Sequence, residues 1–268
     1  MADFSISLPE NFYRVVIQFI NPMLGTIPFS QGVVDKWIES EKIKHQVKYD
    51  NLTDDEMKEV ESNAVMELED KSWTGFHQSV DLPSDDPNFG KHFIYNYMIK
   101  GNLRYAASVF NGSSYEKDGN KKEFPRNFKA KVTNAVFVGP RRVYLPLKED
   151  VDLEPHTDED GKETGFMRIK SSLERPLRAQ TMQGPRTALA KSDYLPAGAE
   201  LEFQLRLIGI SGTNKVSAEH LQALLYYGQY NGLGQWRNAG FGAYVVTEFE
   251  KIDPEDALEI DTYGGGVV

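Results

Sequence analysis

Cysteine is missing from all 268 residues. That one absence removes disulfides, thiolate metal sites and cysteine nucleophiles together, and it fits a cytoplasmic setting. Long apolar runs are missing too; none approaches the roughly 20 residues that span a bilayer. Met1 to Glu10 lacks the basic-then-apolar order of a secretion signal. The expectation is a cytoplasmic protein with no membrane partner.

The common catalytic signatures are also wanting. The five histidines, His45, His77, His92, His156 and His220, form no HExxH or other ligand spacing, so no metal and no cofactor is expected. No G-x-S-x-G elbow and no Gly-Lys-Ser/Thr phosphate loop occurs. Asp54-Asp55-Glu56 reads as the solvated first turn of a helix, with Thr53 as its cap. Asp158-Glu159-Asp160-Gly161 lacks the ligand spacing of an EF-hand loop.

What the chain does have is a core. Hydrophobic residues make up 40% and aromatics 12%, enough to bury a sizeable interior. The net charge of −10 opposes generic polyanion binding, but the charges are segregated. Acidic stretches at 50–86, 149–163 and 248–261 alternate with two basic blocks. The first includes Lys100, Arg104, Arg141 and Arg142; the second includes Arg168, Arg175, Arg178 and Arg186. Charges separated by more than about 8 Å are screened in physiological salt, so a local basic face remains possible on an acidic protein. Chance segregation over a long surface is the competing reading.

The periodicities predict strand over 12–20, short helix over 33–40 and helix over 53–69. Weakly alternating strand is expected over 92–98, helix over 102–110 and a second short helix over 124–132. Strands follow at 135–138 and 141–145, with an acidic loop or hairpin tip over 149–165. Residues 171–191 carry no strong period and read as an extended excursion. The run 200–208 alternates cleanly, as a half-buried antiparallel strand does, and is followed by helix over 218–230 and strand over 244–249. No linker or internal repeat is visible. The expected organisation is one domain over 1–250, with insertions at about 40–90 and 147–192, then an acidic, glycine-rich tail over 251–268.

Between that last helix and strand lies Gly232-Leu233-Gly234-Gln235-Trp236-Arg237-Asn238-Ala239-Gly240-Phe241-Gly242. A dinucleotide fingerprint needs strand, glycines, then helix; here the order is reversed. What remains is a loop whose backbone N–H groups could approach a phosphate, with Trp236 to stack and Arg237 to donate. Alternatively, Trp236 covers the core and the glycines permit tight packing. The excursion Arg175-Pro176-Leu177-Arg178-Ala179-Gln180-Thr181-Met182-Gln183-Gly184-Pro185-Arg186 suits phosphates equally well, or a contact with a second subunit.

Four motifs stand in a telling order: Ile20-Asn21-Pro22-Met23-Leu24-Gly25-Thr26, Tyr97-Met98-Ile99-Lys100-Gly101-Asn102-Leu103-Arg104, Leu195-Pro196-Ala197-Gly198-Ala199-Glu200-Leu201-Glu202-Phe203, and the glycine loop. In this order they resemble the RAMP superfamily of CRISPR-associated proteins, especially the backbone subunits of effector complexes. Met23 stands where Leu is usual, and no Ser-Leu precedes Lys100-Gly101. The Leu-Gly-Thr turn, the Arg-Pro-Leu-Arg-Ala-Gln-Thr run and Gly-Gln-Trp-Arg-Asn also look like small bacteriophage and prophage proteins. The resemblance implies an α+β fold with a modified ferredoxin-like (RRM) core, an antiparallel sheet with helices on one face, and a thumb-like excursion. It implies non-catalytic binding of single-stranded RNA, ahead of DNA, through the backbone, with copies side by side. Lys100 and Arg104 match the family's helix-start motif; the expected phosphate contacts are these two with Arg141, Arg142, Arg175, Arg178 and Arg186 of the basic blocks, and Arg237 is a donor in the loop. Gly232, Gly234, Gly240 and Gly242 form the loop, and Trp236 stacks. The alternatives are an assembly subunit that docks through its acidic surface and, behind it, a metal-dependent ribonuclease using Asp35.

Overall fold

The computed structural model describes residues 9–28, 73–117, 119–147, 153–157, 163–169, 172–181, 184–209 and 215–258. The helices expected over 33–40 and 53–69, Asp35 and the last ten residues lie outside them. The chain forms two compact units. One takes residues 1–23, 91–147 and 195–268; the other takes 24–90 and 148–194.

The strands are β1 (Glu10–Phe19), β2 (Met23–Leu24), β3 (Ile27–Pro28), β4 (Trp73–Gly75), β5 (His77–Gln78), β6 (His92–Tyr95), β7 (Ser114–Lys117), β8 (Asn120–Glu123), β9 (Val136–Gly139), β10 (Arg142–Tyr144), β11 (Leu153–Thr157), β12 (Glu163–Ile169), β13 (Ser172–Thr181), β14 (Gly184–Leu195), β15 (Glu200–Ile208) and β16 (Tyr244–Ile252). The helices are α1 (Asn96–Val109), α2 (Phe128–Ala135) and α3 (Ala218–Tyr226).

The first unit is built on a four-stranded sheet in the order β16-β1-β15-β9, with every pair antiparallel. In chain order, α1 falls between β1 and β9, and α3 between β15 and β16. Strand period fixes the faces. Tyr13, Val15 and Ile17 of β1 sit opposite Leu205, Phe203 and Leu201 of β15. Leu205 and Leu207 in turn face Val138 and Val136 of β9. All of these are buried, so a one-residue slip would turn the whole row to the other side. The buried stripes of α1 (Leu103, Ala106, Ala107) and α3 (Leu221, Leu224, Leu225) complete that core.

The other sheet face is charged. Arg14 is gripped by both oxygens of Glu202 at 2.8 Å and by Glu248 at 2.5 Å. These bonds hold Glu202 below the usual carboxylate range. Glu250 is the register partner of Arg14 on β16. Residues 251–258, expected as part of the tail, lie among the described residues of the first unit. β16 continues to Ile252, and Leu258 N–H then donates to Gln204 Oε1 at 2.8 Å.

Boundaries moved where local chemistry overruled punctuation. α1 starts six residues before the expected Asn102, so Gly101 is interior to a helix rather than its boundary. α2 starts at Phe128 rather than Phe124, because Pro125 and a left-handed Asn127 precede it and Asn111 Oδ1 accepts from Phe128 N–H at 3.0 Å. α3 stops at Tyr226 and tightens into one 3-10 turn, where Gly228 lies under the Tyr244 ring.

One buried amide links helix, loop and strand in this unit. Asn102 of α1 donates to the Asn231 and Gly232 carbonyls at 2.6 and 2.9 Å. Its oxygen accepts from the Tyr244 hydroxyl of β16 at 2.9 Å. Burial drives the Tyr244 phenol well above its ordinary value. Gly232 and Gly242 then close the loop backbone to backbone. A Cβ on Gly232 would lie 1.9 Å from the Gly242 oxygen, and Leu233 N–H donates to that oxygen at 2.9 Å.

In the second unit β13 and β14 form a ten-pair hairpin from Ser172↔Asp193 to Thr181↔Gly184. This gives the extended excursion a regular form. β14 pairs with β4, and β4 with β3; β11 and β12 make a second hairpin across the expected loop. Asp193, 1% exposed, accepts from Trp73 Nε1 at 2.8 Å and from Ile169 N–H at 3.2 Å. The Arg168 guanidinium, which also pairs with Glu154, lies 3.7 Å away. Burial outweighs these partners and pushes the Asp193 carboxyl from 3.8 up to about 6.

Two stability outcomes follow. Asn102→Ala leaves two carbonyls and a phenol unsatisfied and costs about 2–3 kcal/mol in denaturant unfolding; a wild-type midpoint would contradict the link. For Asp193 the folded carboxyl binds its proton more tightly than the unfolded one does. Its linked stabilisation is therefore full below 3.8 and lost as pH rises through about 6. The stability of wild type relative to Asp193→Asn should accordingly rise as pH falls from 6 to 4, measured by urea titration at each pH.

Candidate nucleic-acid interface

Three segments of the first unit contain no Asp or Glu: 91–115, 124–147 and 220–247. They hold nine of the chain's 30 Lys and Arg residues, in a protein of net charge −10. The fold assembles them. α1 packs on α2 and on α3, and the Asn102 link fastens the glycine loop to α1. This surface opposes in sign the sheet face that carries Glu202, Glu248 and Glu250.

Its exposed rings come from α1 and the end of α3. Tyr105 is 49% exposed, Tyr226 63% and Tyr230 66%. Tyr105 packs on Tyr227 at 6.4 Å, Tyr227 on Tyr230 at 6.1 Å, and Tyr230 on Tyr226 at 6.3 Å between ring centres. The hydrogen bond with Tyr226 raises the Tyr230 phenol above its ordinary value. Arg237 lies over Tyr105 at 6.0 Å, and exposed Arg104 is the neighbour of Tyr105 on α1. A second cluster lies at the start of α1. Tyr97, 57% exposed, stacks on Tyr95 at 5.5 Å, and Arg141 lies over Tyr95 at 5.9 Å. Arg142 is set over Phe93 at 5.0 Å. Rings with guanidinium groups laid over them suit bases and phosphates together.

Trp236 is 36% exposed, with a left-handed backbone (φ 56°) and its ring 6.0 Å from Phe241. It thus stands at the rim of the loop and does not cover the core. The glycines do not form an open cradle. Gly242 N–H donates to Pro22 O at 2.8 Å and Gly240 N–H to Arg237 O at 2.9 Å. Gly232 and Gly242 serve close backbone contact, while Gly234 and Gly240 take positive φ of 83° and 85° in turns. The loop therefore presents its side chains rather than a nest of N–H groups.

Lys100 is also corrected. Its ammonium donates to the Thr133 and Val132 carbonyls at 2.9 and 3.1 Å and lies over Phe137 at 4.9 Å. Half-buried, it closes the end of α2. Burial, and then the charge of Arg104, lower it to about 8. Arg175 is corrected likewise: it is 6% exposed and donates to Ser192 Oγ at 2.9 Å inside the second unit, where ordering the hairpin base occupies it. Arg178 and Arg186 lie on β13 and β14 of that unit, with Arg178 opposite Thr187 and Arg186 opposite Ala179.

Thus Arg104, Trp236 and Arg237 are brought to one place, Arg141 and Arg142 to a second on the same unit, and Arg175 is withdrawn. The tyrosines were missed. The signal available for them was the Tyr226-Tyr227-x-x-Tyr230 spacing inside a segment free of carboxylates. Among the described residues no cluster of His, Asp or Glu could hold a metal ion, and no helix is long and apolar enough to cross a membrane.

No protein-family model and no curated protein matches the chain. Solved structures similar to it include a chain from a Type III-B Cmr-beta complex bound to cognate target RNA, at 11% identity and a TM-score of 0.42. That match covers 91% of this chain, which spans 61% of the length of the other. A chain of a Type IV-B CRISPR complex is similar at 14% identity and a TM-score of 0.41, covering 94% of both.

Proposed function

We propose that this protein binds single-stranded nucleic acid without cutting it, on the face made by α1, the end of α3 and the glycine loop. The observation that carries the reading is the meeting of three carboxylate-free segments with solvent-exposed rings and guanidinium groups, in an otherwise acidic chain. Arg104, Arg141 and Arg237 hold phosphates; Tyr226, Tyr230 and Trp236 take the faces of bases. The core on this reading is ferredoxin-like, of the RAMP kind. The strand order β16-β1-β15-β9, with α1 and α3 as crossovers, supports it. RNA comes before DNA on the sequence resemblance, and copies lie side by side along the strand.

A second reading has one observation in its favour. The acidic sheet face, with Arg14 locked between Glu202 and Glu248, suits a basic protein partner. In that case the protein self-associates identically with and without nucleic acid, which light scattering measures.

The direct test is fluorescence anisotropy of a labelled oligouridylate, titrated across salt concentration. Affinity falls as salt rises, and Arg237→Ala reduces the slope of log K against log salt by about 0.7. Tyr230→Ala costs about 1–3 kcal/mol of binding with the fold unchanged. Salt-independent binding, or none, refutes the reading.

A further inference from the structure

The four-stranded sheet of the first unit ends on a strand that is little covered. β16 is the outermost strand of the order β16-β1-β15-β9, and among the described residues no strand pairs with its other side. It is nine residues long, where about five or six is usual. The 3-10 turn after α3 covers its Tyr244 end. Past the register shift opposite Val16 and Ile17, Thr247, Glu248, Glu250 and Lys251 are all exposed. The chain then turns back at Pro254 to reach Gln204 of β15, on the far side of β1 from this edge. An edge strand presents a row of N–H and C=O groups without ladder partners.

Natural edges are guarded by charge, most often by lysine. Here the guard is acidic. Strand period puts Glu248 and Glu250 on the sheet face that also carries Arg14 and Glu202. Glu248 shares Arg14 with Glu202, and Glu250 has no ion pair among the described residues. Asp253, Glu255 and Asp256 are exposed just beyond the strand.

This pattern selects what can pair there. A second copy laid edge to edge would set these carboxylates against their own kind, and like charges across a ladder are destabilising. An extended segment with Lys or Arg at every second position does the opposite. Its cations all fall on one face, beside Glu248 and Glu250, while its main chain completes the ladder.

We propose that the free edge of β16 takes an extended basic segment of another protein as a fifth strand, with cations at alternate positions facing Glu248 and Glu250. This rests on the second reading above, in which the acidic sheet face meets a basic protein partner, and gives that contact a place and a mode. Main-chain hydrogen bonds supply affinity, and the two carboxylates select the sequence. The nucleic-acid face plays no part in it.

The probe is a fluorescein-labelled ten-residue peptide alternating Lys and Thr, titrated by anisotropy. Its controls are a peptide with the same residues in two blocks and the alternating peptide N-methylated along its backbone. The alternating peptide binds wild type, and both controls bind more weakly by over about tenfold. Glu250→Lys weakens the alternating peptide by about tenfold with an unchanged thermal midpoint. Amide exchange in 247–252 slows when that peptide is bound. Equal binding of all three peptides overturns strand addition and leaves the acidic-face reading standing on charge alone. A Glu250→Lys variant that binds the alternating peptide as wild type does also overturns the proposal. If no peptide binds wild type, both the proposal and the acidic-face reading fall.

Discussion

The Asn102 amide is the constraint on which the candidate face depends. It is buried, uses both its donor and acceptor groups, and ties three parts of the chain that are distant in sequence. It ties the loop from Asn231 to Gly242 directly to α1, while Asn21 and Pro22 hold the other end of the loop. So held, Arg237 reaches the ring of Tyr105. A buried network of this kind specifies one arrangement because every partial alternative strands a polar group in low dielectric.

Charge decides which face of the sheet domain can meet a polyanion. An RRM-type reader lays RNA across the open sheet on exposed aromatics. Here that surface carries Glu202, Glu248 and Glu250 around Arg14, whose donors are already engaged, and its Arg206 is paired with Glu10. Phosphates placed there would meet like charges within a few ångströms. The helical side has the opposite character, and its net positive field persists near the surface even though the whole molecule is acidic, since screening makes distant carboxylates weak. Net charge alone argued against binding. The position of the charges reverses that inference for one face.

The regular strands were legible from sequence because their period is short and their faces differ. The run 200–208 alternates so cleanly that its limits were read to the residue, and 12–20 was displaced by no more than two. α1 starts earlier than expected because glycine does not end it: its helical stripe Ile99, Leu103, Ala106 and Ala107 extends across Gly101. The arginines could not be ranked by sequence. Arg175 and Arg104 look alike as letters, yet one is buried against Ser192 and the other is exposed on a helix. Lys100 was misjudged for the same reason: only the packing of α1 on α2 puts two carbonyls at its tip. The tyrosine string leaves no mark in a charge pattern, because a stacking surface is neutral.

The number of cations on the face bears on how the protein would work. On the proposed reading Arg104, Arg141 and Arg237 are three phosphate partners, and three contacts on a single strand would give a salt exponent of only about −2. Such a surface would hold a lone strand weakly at physiological salt, even with base stacking added. Tyrosine and tryptophan lose little side-chain entropy on binding, and the loop is already fixed by its own hydrogen bonds, so little affinity is lost to ordering. Preorganisation still cannot replace missing contacts. A strand long enough to cross several copies gains from their combined effective concentration, with no new contact in any one of them. A face this modest is therefore better matched to a repeated unit along a strand than to a solitary high-affinity binder.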